Sequence, residues 1–229
     1  MPLPVQLPAA ADFDTFVAGR NAEAVALVRA LAEGEETGVV CLHGVAGSGR
    51  THLLQAAVRC AHQAGRSAMY LDLASPLESS LLEGLEALQL LALDRADRRA
   101  GDSGWERSLF DLFNRLREQG HGLLVALDRP PAEAGFGLPD LATRLGWGPV
   151  YALQPPGGET LVEALRRHAR VRGLGLPQEV IEYLLRRERR DLASLLALLD
   201  RLDRAALAAQ RRLTIPFVRE VLAVGRNRD

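Results

Sequence analysis

Eight residues near the start of the chain, Gly44-Val45-Ala46-Gly47-Ser48-Gly49-Arg50-Thr51, have the types and spacing to hold phosphate. Glycines let backbone N–H groups converge on phosphate oxygens, and a helix that follows points the positive end of its dipole at them. Thr51 supplies the hydroxyl that reaches a magnesium ion in sites of this kind, and His52 follows it directly. The pattern reads as a P-loop with one change, Arg50 in the place of lysine. Arginine is planar and wider, and it grips phosphate as a fork rather than as a compact point charge. Such a site can hold a nucleotide yet position its terminal phosphate poorly for hydrolysis. The competing reading is an ordinary glycine-rich turn.

Three more residues have chemistry to offer that loop. Asp94 ends an apolar run 43 residues after Thr51, where a P-loop protein keeps the acid that holds magnesium. As a strand-end aspartate it could equally cap a loop. Hydrolysing P-loop proteins place a second acid directly after it; here the next residue is Arg95, so the water-activating carboxylate is missing from its place. Asp97 is offset so as to point elsewhere. Asp128, before Arg129-Pro130-Pro131, either senses a terminal phosphate or serves the turn. Arg144 by itself reads as a solvated surface charge. The arginine run Arg186, Arg187, Arg189 and Arg190 reads as a solvated face, with a nucleotide or partner contact as the alternative.

These residues need strands to carry them. Short apolar runs at Gly38–His43, 67–73, 88–93, Gly122–Leu127 and 149–153 predict five strands. Helical spacing over 21–32, 51–64, 77–87, 105–118 and 138–145 predicts the helices between them. Strands alternating with helices imply an α/β fold with a parallel five-stranded sheet covered on both faces. The composition changes at Gln154-Pro155-Pro156-Gly157-Gly158, and only helices are predicted beyond it, over Glu159–Val171, Gln178–Arg187, 191–209 and 216–224. This is the layout of an AAA+ nucleotide-binding unit with a C-terminal α-helical lid domain. The expected organisation is an extended N-terminal segment at 1–13, the α/β nucleotide-binding domain at 14–156 and the lid at 157–229. In that architecture Arg144 sits where an arginine finger projects toward a neighbour's nucleotide.

Composition narrows the function classes. The 229 residues carry a net charge of −1 and are 48% apolar, so the chain is globular and no global field attracts nucleic acid. Cys41 and Cys60 form no CxxC pair and read as core thiols. The five histidines show no metal-ligand spacing. No run reaches membrane-spanning length and no secretory signal is visible, so a cytoplasmic setting is expected.

Over residues 14–224 the chain resembles the Hda family, the DnaA-related regulatory inactivators of bacterial replication initiation. The stretches TFVAGRN (15–21), GVAGSGRTH (44–52), DRPP (128–131), GLPDLATRLGWG (137–148) and RRLTIPFV (211–218) carry the resemblance. DnaA shares several of them but keeps lysine in its P-loop, and it adds a helix-turn-helix domain that this chain, ending at Asp229, is expected to lack. The resemblance implies a protein that holds ADP, or another nucleoside diphosphate, without appreciable ATP turnover of its own. Docked on the DNA-loaded sliding clamp of DNA polymerase III, it would provoke DnaA to hydrolyse its ATP. It would thus be nucleoid-associated through the clamp, without reading DNA sequence, and a homodimer stays open. Gly44, Gly47, Ser48, Gly49, Arg50, Thr51 and His52 would hold the nucleotide, with Val17 near the base and Asp94, Asp128 and Arg190 completing the site. Thr51 and Asp94 would meet any magnesium, and Arg144 would be the finger offered to DnaA. The clamp motif of the family is a glutamine-leucine pair followed by Leu-Pro-Leu. Leu3-Pro4-Val5 matches its second half, and an alternative register starts at Gln6-Leu7. The nucleotide-contacting lid arginine falls at Ala193 in this register, with Arg190 as the substitute. The alternatives are a weak ATPase, or a DnaA paralogue or clamp-loader-like AAA+ subunit.

Overall fold

The computed structural model describes residues 11–187 and 191–226, with side chains described as far as residue 223. The described residues form two compact units that divide between Pro155 and Pro156.

In the first unit, β1 (Gly38–His43), β2 (Ala68–Asp72), β3 (Leu90–Asp94), β4 (Gly122–Leu127) and β5 (Val150–Ala152) form one sheet, in the order β2-β3-β4-β1-β5. Every pairing is parallel. β3 and β4 are buried along their whole length, which is why their sequences run apolar without alternation. Successive residues still face opposite layers. Val40 and Leu42 join the core under α1 (Ala22–Glu33) and α2 (Arg50–Gln63). Val39 and Cys41 join the core under α3 (Ser103–Glu118) and α4 (Pro139–Leu145). α3 starts on Asp102, whose Oδ1 accepts the N–H groups of Gly104 and Trp105, and buries Leu109, Leu112, Phe113 and Leu116, each contributing about 1.5–3 kcal/mol. Cys41 lies in the core, where burial pushes its thiol up to about 12. Cys60 is only half-buried, at the rim of α2 beside Glu33.

The helix expected over 77–87 does not form. Two short 3-10 turns, Ser79–Leu82 and Leu85–Ala87, stand there instead, separated by Gly84 at φ +81°. The apolar spacing was that of a helix, but a left-handed glycine in its middle ends any right-handed run.

The second unit is helical: α5 (Glu159–Val171), α6 (Gln178–Arg187), α7 (Leu192–Ala209) and α8 (Ile215–Arg226). They enclose their own core of Leu161, Leu165, Ile181, Leu195, Leu199 and Val218 among others. Asp191 caps α7 through the Ser194 N–H, 2.8 Å. No helix among the described residues is long and apolar enough to cross a membrane.

Candidate functional site

The P-loop leaves β1 at His43 and enters α2 at Arg50. Its backbone is crowded where the chain must turn. A Cβ on Gly44 would come within 2.7 Å of the Leu153 carbonyl oxygen, and one on Gly49, at φ +97°, would meet Phe16 at 2.6 Å. α2 has no side-chain N-cap. Among the described residues the N–H groups of Gly47, Gly49, Arg50 and Thr51 have no backbone acceptor. The buried Ser48 hydroxyl also has no partner. Unpaired donors and an orphaned hydroxyl around an uncapped helix start fit a polyphosphate.

Thr51 donates its hydroxyl to Asp94 Oδ2 at 2.6 Å, and the Tyr70 phenol donates to the same oxygen at 2.8 Å. Asp94 is 1% exposed. Burial, followed by the charge of Asp94, pushes the Tyr70 phenol well up, so it stays a donor. The Thr51 hydroxyl and the Asp94 carboxylate are hard oxygen ligands of the type magnesium takes. No group of three His, Cys, Asp or Glu side chains placed to hold a metal ion occurs among the described residues, so phosphate and water would complete such a shell.

Arg95, in left-handed conformation at φ 54°, turns its guanidinium to Asp72. Its Nε donates to Asp72 Oδ1 at 2.8 Å, and Nη2 pairs with Oδ2. The place where a hydrolysing relative carries a second acid thus holds a cation already paired. Arg50 is engaged as well. Its side chain is 10% exposed; Nη1 donates to the Leu127 carbonyl, and Nη2 donates to Asp128 Oδ1 at 2.7 Å. Arg98 takes Asp128 Oδ2 at 3.2 Å. The Arg50 hydrogen bond, above all, holds the Asp128 carboxyl below the usual carboxylate range. Asp97 does not point elsewhere, as its offset predicted: the 3-10 turn of Ala96–Arg99 carries it against Asp128. Burial, then the charge of Asp128, pushes its carboxyl up, and its buried Oδ1 has no partner.

His52 faces the N-terminal segment. Its Nε2 lies 2.8 Å from the Asp12 carbonyl and 3.2 Å from Thr15 Oγ1, and its ring packs edge-on against Phe16. Burial lowers its pKa. This clasp sets Phe16 against Gly49, with the half-buried Val17 following it.

Arg144 lies near the end of α4, half-buried, with its guanidinium carbon 4.1 Å from the Phe110 ring centre and 5.2 Å from that of Trp147. It lies across these rings rather than projecting straight outward. Trp147 is 52% exposed and is also approached by Arg117, whose guanidinium carbon lies 4.8 Å from its ring centre. One face of α3 builds this patch, because Glu106, Phe110, Phe113 and Arg117 recur every three or four residues. Buried Glu106 fixes the entry to α4 by accepting the Gly137 and Leu138 N–H groups at 2.9 and 2.6 Å.

Residues 7–152 match the family model described as the bacterial DnaA ATPase domain. The chain belongs to that family. Residues 158–222 match the Hda lid domain, so the α/β unit of this DnaA relative is joined to a lid of the Hda type. Domain III of the Thermotoga maritima replication initiation protein DnaA is 21% identical, with TM-score 0.80 over 96% of this chain and 98% of that one. AMPPCP-bound DnaA from Aquifex aeolicus is 23% identical, with TM-score 0.69 over 85% and 66% of the two chains. The Thermotoga maritima RuvB Holliday junction branch migration motor is 18% identical, with TM-score 0.69 over 91% and 70%. At these identities the likenesses establish the AAA+ fold.

The structure brings Gly44, Gly47, Ser48, Gly49, Arg50, Thr51, Asp94 and Asp128 together at the C-terminal ends of β1, β3 and β4. Arg144 stands apart on α4. The predicted clamp residues Leu3, Pro4, Val5, Gln6 and Leu7, and Arg190 of the lid, lie outside the described residues. Ala193 is exposed in the first turn of α7. Sequence reasoning missed Phe16, Tyr70, Arg98, Phe110 and Trp147. Trp147 and Phe16 fall inside the stretches that carry the family resemblance; no sequence signal pairs Tyr70 with Asp94.

Proposed function

We propose that this chain is an ADP-holding regulator that, docked on the DNA-loaded sliding clamp, stimulates hydrolysis of ATP bound to DnaA and does not turn over ATP itself. The observation that carries this reading is the pair of arginines at the phosphate end. Arg95 replaces the water-activating acid and is bound to Asp72, while Arg50 is held by Asp128. A free phosphate cradle without an acid to activate water suits retention of a diphosphate. The Hda-type lid and the DnaA-type α/β unit support DnaA as the partner. In this reading Thr51 and Asp94 hold magnesium where it accompanies the nucleotide. Arg144 leaves its aromatic rest and stabilises the charge that develops on the γ-phosphate of DnaA's ATP.

The test loads purified DnaA with labelled ATP and adds clamp-loaded DNA, ADP and this protein. DnaA-bound ATP should be consumed only when all are present. The protein alone should release phosphate far more slowly than about 1 per second, a rate within the ordinary enzyme range. Turnover at that rate without DnaA would favour the weak-ATPase reading instead.

A further inference from the structure

α4 has seven residues, and a helix that short does not hold itself in place in water. It follows a long connection from β4, residues 128–138. Near its end it rests on α3 through Arg144, which lies over the Phe110 ring. At its start it rests on α3 through Glu106, one turn before Phe110 in the same helix. Glu106 is only 2% exposed, and an acid is costly to bury unless it is fully hydrogen-bonded. Its Oε1 accepts the N–H groups of Gly101 at 2.7 Å and Gly137 at 2.9 Å, and its Oε2 accepts that of Leu138 at 2.6 Å. Leu138 is the N-cap position of α4, and its own side chain offers no cap bond. Gly101 and Gly137 are themselves exposed, so water could serve their N–H groups were the carboxylate gone. What the carboxylate adds is the position of the segment that leads into α4.

We infer that Glu106 is a positioning residue for Arg144: by gripping the entry to α4 it fixes where the Arg144 guanidinium stands. This role depends on the reading of Arg144 as the finger offered to DnaA. Glu106 itself meets neither nucleotide nor partner in that reading, and it acts through α4. Leu141 and Leu145 bury α4 against the core that α3 shares, but apolar contact is non-directional and leaves a short helix free to slide or turn about its axis. Hydrogen bonds from two successive backbone N–H groups to the two oxygens of one carboxylate are short, strong and directional. Glu106 and Phe110 thus hold the two ends of α4 from consecutive turns of α3, and two fixed points remove the pivot that one would leave. A finger is sensitive to such freedom, because a displacement of about 1 Å originating far from the chemistry can cost about 10²-fold in rate.

Glu106→Gln retains the shape of the side chain but sets an NH2 group against an N–H that the carboxylate accepted. In the assay with ATP-loaded DnaA, clamp-loaded DNA and ADP, the DnaA hydrolysis rate at saturating variant should fall by about tenfold to 10²-fold. The concentration that gives half the maximal rate should stay within about twofold, as should the ADP dissociation constant and stoichiometry from calorimetry. Glu106→Asp retains the charge but falls one methylene short of the α4 entry. It should show the same pattern with a smaller loss, and it carries the test if the Gln variant does not fold. In the wild type, amide hydrogen exchange should find the Gly137 N–H protected although that residue is exposed, and Glu106→Gln should remove the protection. Stimulation at the wild-type rate by either folded variant, or an unprotected Gly137 amide in the wild type, overturns the inference and leaves the Arg144 reading standing. Loss of ADP sites in proportion to lost stimulation overturns it too, since the P-loop and α4 belong to one compact unit and such a loss reports unfolding. A wild type that does not stimulate DnaA removes the finger reading, and the role of Glu106 with it.

Discussion

Two arginines that the proposed function assigns to phosphate are held in opposite ways. Arg50 is nearly buried, with an ionised carboxylate and a carbonyl filling its fork. Arg144 makes no ion pair with a carboxylate among the described residues and rests on the faces of Phe110 and Trp147. A charge-assisted hydrogen bond is strong and directional, and breaking it leaves a carboxylate uncompensated. A cation–π contact at a partly exposed site is worth about 0.5–2 kcal/mol and consumes none of the five N–H donors. The first arrangement commits its arginine to a fixed partner within this fold. The second keeps the side chain ordered while its hydrogen-bonding capacity remains free for an anion that arrives from outside. Packing alone thus separates an arginine used in its own site from one that can be lent to another.

The largest effect expected from breaking this contrast is on the lent arginine. Arg144→Ala should lower the stimulated rate of DnaA ATP hydrolysis by about 10³ or more, the scale of finger arginines elsewhere. Loss of two ring contacts should move Tm by no more than about 4 °C for a chain of this size. ADP binding should persist, because Arg144 touches none of the P-loop residues. The exposed Arg129, next to two prolines, is the control: Arg129→Ala should leave stimulation within about twofold, as a surface change away from such features does. Full stimulation by Arg144→Ala, measured on a folded protein, would remove the finger assignment.

A smaller effect should follow from taking away the rest rather than the arginine. Trp147→Ala removes one of the two rings and also frees Arg117. Stimulation should fall by about tenfold through loss of positioning. Trp147→Phe, which retains an aromatic face, should restore most of it. A structural role alone would instead show as equal losses in both variants, tracking Tm.

Much of this was legible in the residues themselves. The P-loop, the acid at Asp94 and the alternation of strand and helix follow from spacing and apolar runs, because a parallel sheet needs strands buried on both sides and crossover helices between them. The missing second acid was visible as Arg95. Its partner was not, because Asp72 meets Arg95 only through the parallel register that sets Asp72 beside Asp94, and register between strands 22 residues apart leaves no local mark. The same holds for Asp128 and Arg50, joined across 78 positions. Asp97 misled for a different reason: its direction was read from its offset along the chain, whereas Arg95 turns left-handed and redirects the next residues. The failed helix at 77–87 shows the converse, a good apolar pattern overruled by one glycine.

The smallest effect concerns the pH response of the locked side, where Asp97 and Asp128 titrate in opposite directions. The Asp128 pKa is lowered in the fold, foremost by Arg50. Its contribution to stability is therefore present above its unfolded value and lost as pH falls through the folded one. The Asp97 pKa is raised, first by burial and then by Asp128. Its contribution is present below the unfolded value, near 3.9, and is lost as pH rises through the folded one, so at neutral pH its ionised form is a liability. Asp97→Asn removes that charge without changing the size of the side chain. The variant should be more stable than the wild type at pH 7, by about 1 kcal/mol or less because the site is partly exposed to water. That corresponds to a rise in Tm of about 2–4 °C at most. The difference should shrink as the pH falls through the raised folded value of Asp97 toward its unfolded one. Thermal melts of both proteins across pH 4–8 would show the two curves converging at the acid end. An equal offset at every pH would mean that Asp97 acts through packing and not through its charge.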